Sequence, residues 1–195
     1  MLRDPSLVPL SRQHQHALAL CVRIRRAPLA TAREVRAWQA EVEQHFQLEI
    51  QHHFAAEEAC IFPKARGIAE LSLLVDELLA EHAQLRADFA QAQARTLDAA
   101  RLRHFVETLS GHIRKEEGLL FEGMQRALPA QEMQEIGELV AESLARVPEI
   151  CITPTEQVLK TTKTSRVCGV SRTQPPQACP CSVPALRGWS HAGRP

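Results

Sequence analysis

His53-Phe-Ala-Ala-Glu57-Glu58-Ala-Cys-Ile-Phe62 and His112-Ile-Arg-Lys-Glu116-Glu117-Gly-Leu-Leu-Phe121 are two copies of one pattern, H-x-x-x-E-E-x-x-x-F. The likeness extends upstream to His45-Phe46 and His104-Phe105, each eight residues before its motif histidine. Two such stretches at a 59-residue interval mark an internal duplication. On a helix, residues i and i+4 share a face about 6 Å apart along the axis. His53 with Glu57, and His112 with Glu116, can therefore each offer a nitrogen and a carboxylate to one metal. Two solvated faces of ordinary charged helices are the competing reading. It is the poorer one, because both glutamates fall in line with apolar residues rather than opposite them.

The flanking sequence reads as helices joined by short turns. Over 6–27, Leu7, Leu10, His14, Ala17, Cys21 and Ile24 form one stripe at 3-4 spacing, with Ser6 as the expected cap and Pro9 tolerated in the first turn. His14 lies on that stripe, whereas His16 falls off it and is expected to face solvent. Thr31 with Glu34 forms a capping box for a second helix. Its stripe runs Val35, Trp38, Val42, Phe46, Ile50, His53, Glu57, Ile61, and Pro63 is expected to stop it after about 45 Å. A third helix over about 68–95 carries Leu71, Leu74, Leu78, His82, Leu85 and Phe89. A fourth opens at Asp98, carries Leu102, Phe105, Leu109, His112, Glu116, Leu119 or Leu120, and Met124, and ends before Pro129. Short loops make neighbours antiparallel, so the expected fold is an all-α, up-down-up-down four-helix bundle. A short fifth amphipathic helix, about 130–146, either covers one end of the bundle or forms a dimer contact.

Composition bounds what surrounds this bundle. The 195 residues balance in formal charge, so no global field draws the chain to nucleic acid or to an acidic membrane surface. The balance hides an asymmetry: residues 1–147 hold 17 basic and 21 acidic side chains, residues 148–195 hold 6 and 2. Periodicity ends at Pro148, and the Thr-, Ser-, Pro- and Arg-rich remainder reads as a disordered basic tail. The domain division expected is therefore 1–147 and 148–195. Cys168, Cys179, Cys181 and His191 in the tail match no common zinc-finger spacing. Cys21 and Cys60 fall in helical patterns, as buried free thiols do. The start lacks an apolar signal core and no run approaches a membrane span, so a cytoplasmic setting is the default expectation.

The first and third helices add one histidine each. His14 stands 39 residues before His53, and His82 stands 30 before His112. Four histidines and two glutamates then point inward from four helices. One inward histidine is ordinarily a hydrogen-bonded core residue, but six such groups are costly to bury without a cation among them. If Glu57 and Glu116 both bridge, each of two metals receives two imidazoles and two carboxylate oxygens, with room for solvent and a small ligand. Such ligation without thiolate suits iron, with manganese or zinc possible. Glu58 and Glu117, about 100° further round, serve either as surface charge or to hold a ligand from behind. Glu49, one turn before His53, is an unassigned acid on much the same face. Metal uptake should weaken between about pH 7 and pH 5, where free histidine takes up protons.

In these residues the sequence resembles the hemerythrin-like HHE cation-binding domains over about residues 7–127. The recurrent pattern appears here, in order, as Gln13-His14, His53-x-x-x-Glu57, Glu81-His82 and His112-x-x-x-Glu116. The resemblance implies a non-heme di-iron centre in a four-helix bundle, used for oxygen binding, iron or oxygen sensing, and peroxide or nitric oxide chemistry. Two features depart from the oxygen carriers of that family. Leu78 stands where they have a fifth histidine, and His112 and Glu116 are four apart where a five-residue step to aspartate is common. One nitrogen ligand fewer leaves both metals open, which shifts weight from reversible carriage towards sensing, storage or turnover. The leading expectation is a di-iron protein that binds or senses oxygen, iron or a related small ligand. An enzyme turning over peroxide or nitric oxide is the alternative, and a helical interaction module with a structural metal is the third.

Overall fold

Among the described residues, five helices build the fold. In the computed structural model, which describes residues 2–145, α1 is Val8–Arg26 and follows a 3-10 turn at Pro5–Leu7. Asp4, rather than Ser6, caps this start: its carboxylate accepts from the Ser6 N–H, because the extra turn moves the first free donors one step upstream. Ala27 is extended before Pro28, as a residue ahead of proline prefers, and ends α1. The Thr31–Glu34 capping box then opens α2, which runs over 32–66. Next come a 3-10 turn at Ala69–Leu71 and α3, Ser72–Gln93. Asp98 caps α4, over 99–127, by accepting from Arg101 N–H, and α5 is Ala130–Ala145.

Three wide π turns interrupt this regularity, at Phe46–Ile50 and Glu57–Ile61 in α2 and Glu116–Leu120 in α4. The last two begin at the first glutamate of each repeat. They correct one expectation: Pro63 does not stop α2, which continues to Arg66. Proline breaks a helix by clashing with the carbonyl four residues back and by lacking a donor. The π turn just before it widens the ladder, so that strain is not incurred. The π turn in α4 also decides between two leucines, burying Leu120 and leaving Leu119 55% exposed.

Round the bundle, α1 packs against α2 and α4, and α3 against α2 and α4. Their apolar side chains form two separate clusters. One gathers Leu20, Ile24, Trp38, Val42, Leu85, Phe89, Phe105 and Leu109, and the other Leu7, Leu10, Ile61, Phe62, Leu78, Phe121 and Met124. Each of α1–α4 crosses from one cluster to the other at its motif residues: α1 at His14, α2 near Glu57, α3 at His82, α4 near Glu116. A polar layer is thus sealed above and below by apolar ones, each buried leucine or phenylalanine contributing about 1.5–3 kcal/mol. Helix α5 covers the bundle rather than presenting its apolar face outward. Met133, Ile136 and Val140 are buried in the second cluster beside Leu7 and Ile61.

Among the described residues, no helix is long and apolar enough to cross a membrane. Cys21 and Cys60 are buried free thiols. The expected disordered tail, with Cys168, Cys179, Cys181 and His191, lies outside the described residues.

Candidate metal centre

The six residues singled out by spacing meet in the polar layer. His14, His53, His82, His112, Glu57 and Glu116 are all buried, the two glutamates completely. His14 Nε2 and His53 Nε2 face each other at 2.9 Å, and His82 Nε2 and His112 Nε2 at 3.0 Å. Glu57 spans the two pairs: Oε1 is 3.1 Å from His53 Nε2, and Oε2 is 3.4 Å from His82 Nε2. Glu116 spans them the other way, with Oε1 3.1 Å from His112 Nε2 and Oε2 3.1 Å from His14 Nε2. Two four-donor groups result, His14–His53–Glu57–Glu116 and Glu57–His82–His112–Glu116, each with its donor atoms within 4.8 Å of one another.

Hydrogen bonding at the back of each ring fixes which nitrogen faces inward. Nδ1 of His14 donates to Glu117 at 2.6 Å, of His53 to Gln13 Oε1 at 2.8 Å, of His82 to Glu58 at 2.8 Å, and of His112 to Glu81 at 2.9 Å. Carboxylate and amide oxygens only accept, so Nδ1 carries the proton and the neutral ring turns its Nε2 lone pair into the layer. Sequence spacing left Glu58 and Glu117 between two roles, and the structure selects the second. Each reaches across to the lone histidine of a different helix. The motif phenylalanines follow the same crossing: Phe62 lies against His82 and Phe121 stacks on His14, at 5.2 and 5.7 Å between ring centres. Phe54 stacks on His82 at 3.8 Å.

The donor set fits a cation. All four oxygens of Glu57 and Glu116 are buried without a hydrogen-bond partner, and four imidazole lone pairs converge on them. Buried carboxylates left so are costly unless a positive charge sits among them. Without a cation that charge comes from protons. Burial disfavours the charged form of His14, yet Glu116, Glu117 and Glu57 raise its pKa well above the usual value. Burial likewise opposes charge on His112, but Glu116 and Glu81 raise it to about 9. For Glu57, burial works against ionisation and His53, His14 and His82 outweigh it, holding the carboxyl well below its ordinary range. Glu116 is lowered too, against burial and the Glu57 charge, by His112 and His14. Cations and protons therefore compete for the same nitrogens.

Among the described residues, the other histidines stay outside the donor groups. His16 is exposed and donates from Nδ1 to Glu49 Oε1 at 2.8 Å. His45 is buried eight residues up α2, near Arg23 and Glu41, and His104 is exposed. Glu49 does not replace the histidine missing at Leu78. Leu78 lies in the second apolar cluster, whereas Glu49 lines a small cavity on the other side with Gln13, Ala17, Ile50, His53, Leu109 and Ile113.

No curated protein and no solved structure matches the chain closely enough to compare. The family model of the Hemerythrin HHE cation binding domain does match, over residues 8–124, a span that begins with α1 and ends in the last turn of α4. All six buried donors and the four residues behind their rings fall inside it. This chain belongs to the hemerythrin HHE cation-binding domain family.

Proposed function

We propose that this chain holds two iron ions between His14, His53, His82, His112, Glu57 and Glu116, and that they offer an open position to dioxygen or another small ligand. The observation that carries this reading is the sharing of both carboxylates. Glu57 and Glu116 each direct one oxygen to one pair of histidines and the other oxygen to the second pair. Two nitrogens and two oxygens per cation, without thiolate, suit iron, and manganese or zinc accepts the same donors. Bound iron would supply one-electron redox chemistry and a vacant coordination position. The protein supplies the rest. Glu117, Gln13, Glu58 and Glu81 hold the rings, and Phe54, Phe62 and Phe121 keep water from their faces. The cavity beside His53 measures about 10 Å³, so a ligand entering there is a small one.

An enzyme acting on peroxide is the second reading, and Glu49 favours it. Its Oε2 is buried without a partner and the residue lines the cavity, so a ligand bearing protons would find an acceptor there. Both readings rest on residues 1–147 and need nothing from the basic segment 148–195. The free thiols at Cys21 and Cys60 suit a reducing, cytoplasmic setting.

Metal analysis of anaerobically purified protein, with optical spectra before and after air, tests the proposal. About two irons per chain and an absorbance change on aeration are expected. Fewer than one cation per chain after reconstitution would overturn it. Measured turnover of peroxide would favour the enzyme.

A further inference from the structure

The four rings are held by one device used repeatedly, and it is broken at one place. The residue before each lone histidine holds the motif histidine of the next helix, and the second motif glutamate of that helix holds the lone histidine of the helix after it, so the contacts run round the bundle. Three of these four holders are carboxylates: Glu117 behind His14, Glu58 behind His82, Glu81 behind His112. Each has its own cation further out, Arg3, Arg86 and Lys115 respectively. Behind His53 stands the neutral amide of Gln13, where the duplication would place the counterpart of Glu81.

We propose that Gln13 makes the His14–His53 half of the centre the weaker cation position, filled last and released first, while the His82–His112 half holds its cation tightly. This rests on the two-cation reading above. A carboxylate accepting from Nδ1–H pushes electron density towards Nε2 and makes it the better donor to a cation, which an amide oxygen does far less. The outer cations do not cancel this difference. Lys115 meets Glu81 from the solvent side, so its charge is farther from the ring and better screened than the carboxylate at 2.9 Å. The small cavity touches this half more than the other: Gln13 and both His14 and His53 line it, whereas His112 alone of the second pair does.

Titration of the metal-free full chain with Co(II), followed optically and by calorimetry, tests the assignment. Repulsion between two cations separates the steps in any case, so the variants decide. Gln13→Glu should strengthen the weaker step about ten-fold and leave the tighter one in place, whereas Glu81→Gln should weaken the tighter step by about as much. A merely structural loss would weaken both steps together. Gln13→Glu without effect on the weaker step, or acting on the tighter one, overturns the proposal. If Gln13→Glu does not fold, Glu81→Gln alone decides, and an unchanged tighter step overturns it. A native chain that takes up one Co(II) or none overturns the two-cation reading itself, and this inference with it.

Discussion

Each ring that faces the centre is gripped from behind by a side chain of another helix, so a single substitution separates a donor from its neighbours cleanly. His14 and His16 lie two residues apart on α1 and make opposite contacts. His14 is buried with Nε2 in the donor layer, while His16 is 60% exposed and pairs with Glu49. His14→Ala should lower bound metal from about two cations per chain to about one or fewer, and His16→Ala should leave it within about a tenth of the native content. Elemental analysis after reconstitution checks this, and the reverse ranking would mean that α1 is rotated relative to the layer. The six residues of the polar layer stand out in the sequence for two reasons: a doubled i, i+4 pattern puts His53 with Glu57 and His112 with Glu116 on one face, and His14 and His82 fall on apolar stripes. The holders stand out less. Whether Glu58 points to solvent or to His82 depends on the rotation of α2 against α3, which spacing within one helix does not encode.

Helices were legible by the same logic and their irregularities were not. Caps at Thr31 and Asp98 and the stripes on five segments announce where elements begin and which face they bury. A π turn inserts its extra residue without changing a 3-4 pattern that already tolerates either step, so Leu119 and Leu120 read alike in the sequence. Pro63 read as a stop because the widened turn before it was invisible. The seat of α5 was left open between two surfaces, and its burial depends on a close approach. A Cβ on Gly137 would lie 2.7 Å from Ser6 Cβ and 2.9 Å from Ser6 Cα, so backbone as well as side chain would have to move. Gly137→Ala gains about 1 kcal/mol of helix propensity and should still destabilise the fold, by about 1–3 kcal/mol net. Denaturant unfolding of the two proteins measures this difference. A more stable variant would mean that α5 does not seat on the Pro5–Leu7 turn.

For the whole molecule, the buried centre ties stability to pH, and its two states respond in opposite directions. In the cation-free protein the folded-state pKa of His14 is raised, and that of His112 is raised to about 9. Groups raised on folding contribute stability that is complete below the unfolded value, about 6.5, and is lost as pH climbs through the folded one. Glu57 and Glu116 are lowered, so their contribution is present above the unfolded carboxylate value and is lost as pH falls through the folded ones. The cluster therefore supports the cation-free fold best between about pH 4.5 and 6.5 and supports it less towards pH 9. Cation binding runs the other way, because it needs the imidazoles deprotonated and stabilises only the folded state. Histidines at their free pKa would let the melting gap between loaded and empty protein level off just above neutrality. With His112 raised to about 9, the gap should instead keep widening from about pH 6.5 to about pH 9. Melting curves of chelated and reconstituted protein at intervals across that range check it. A gap that is constant above pH 7 would mean that the imidazoles are not held as buried imidazolium–carboxylate pairs when the cations are absent.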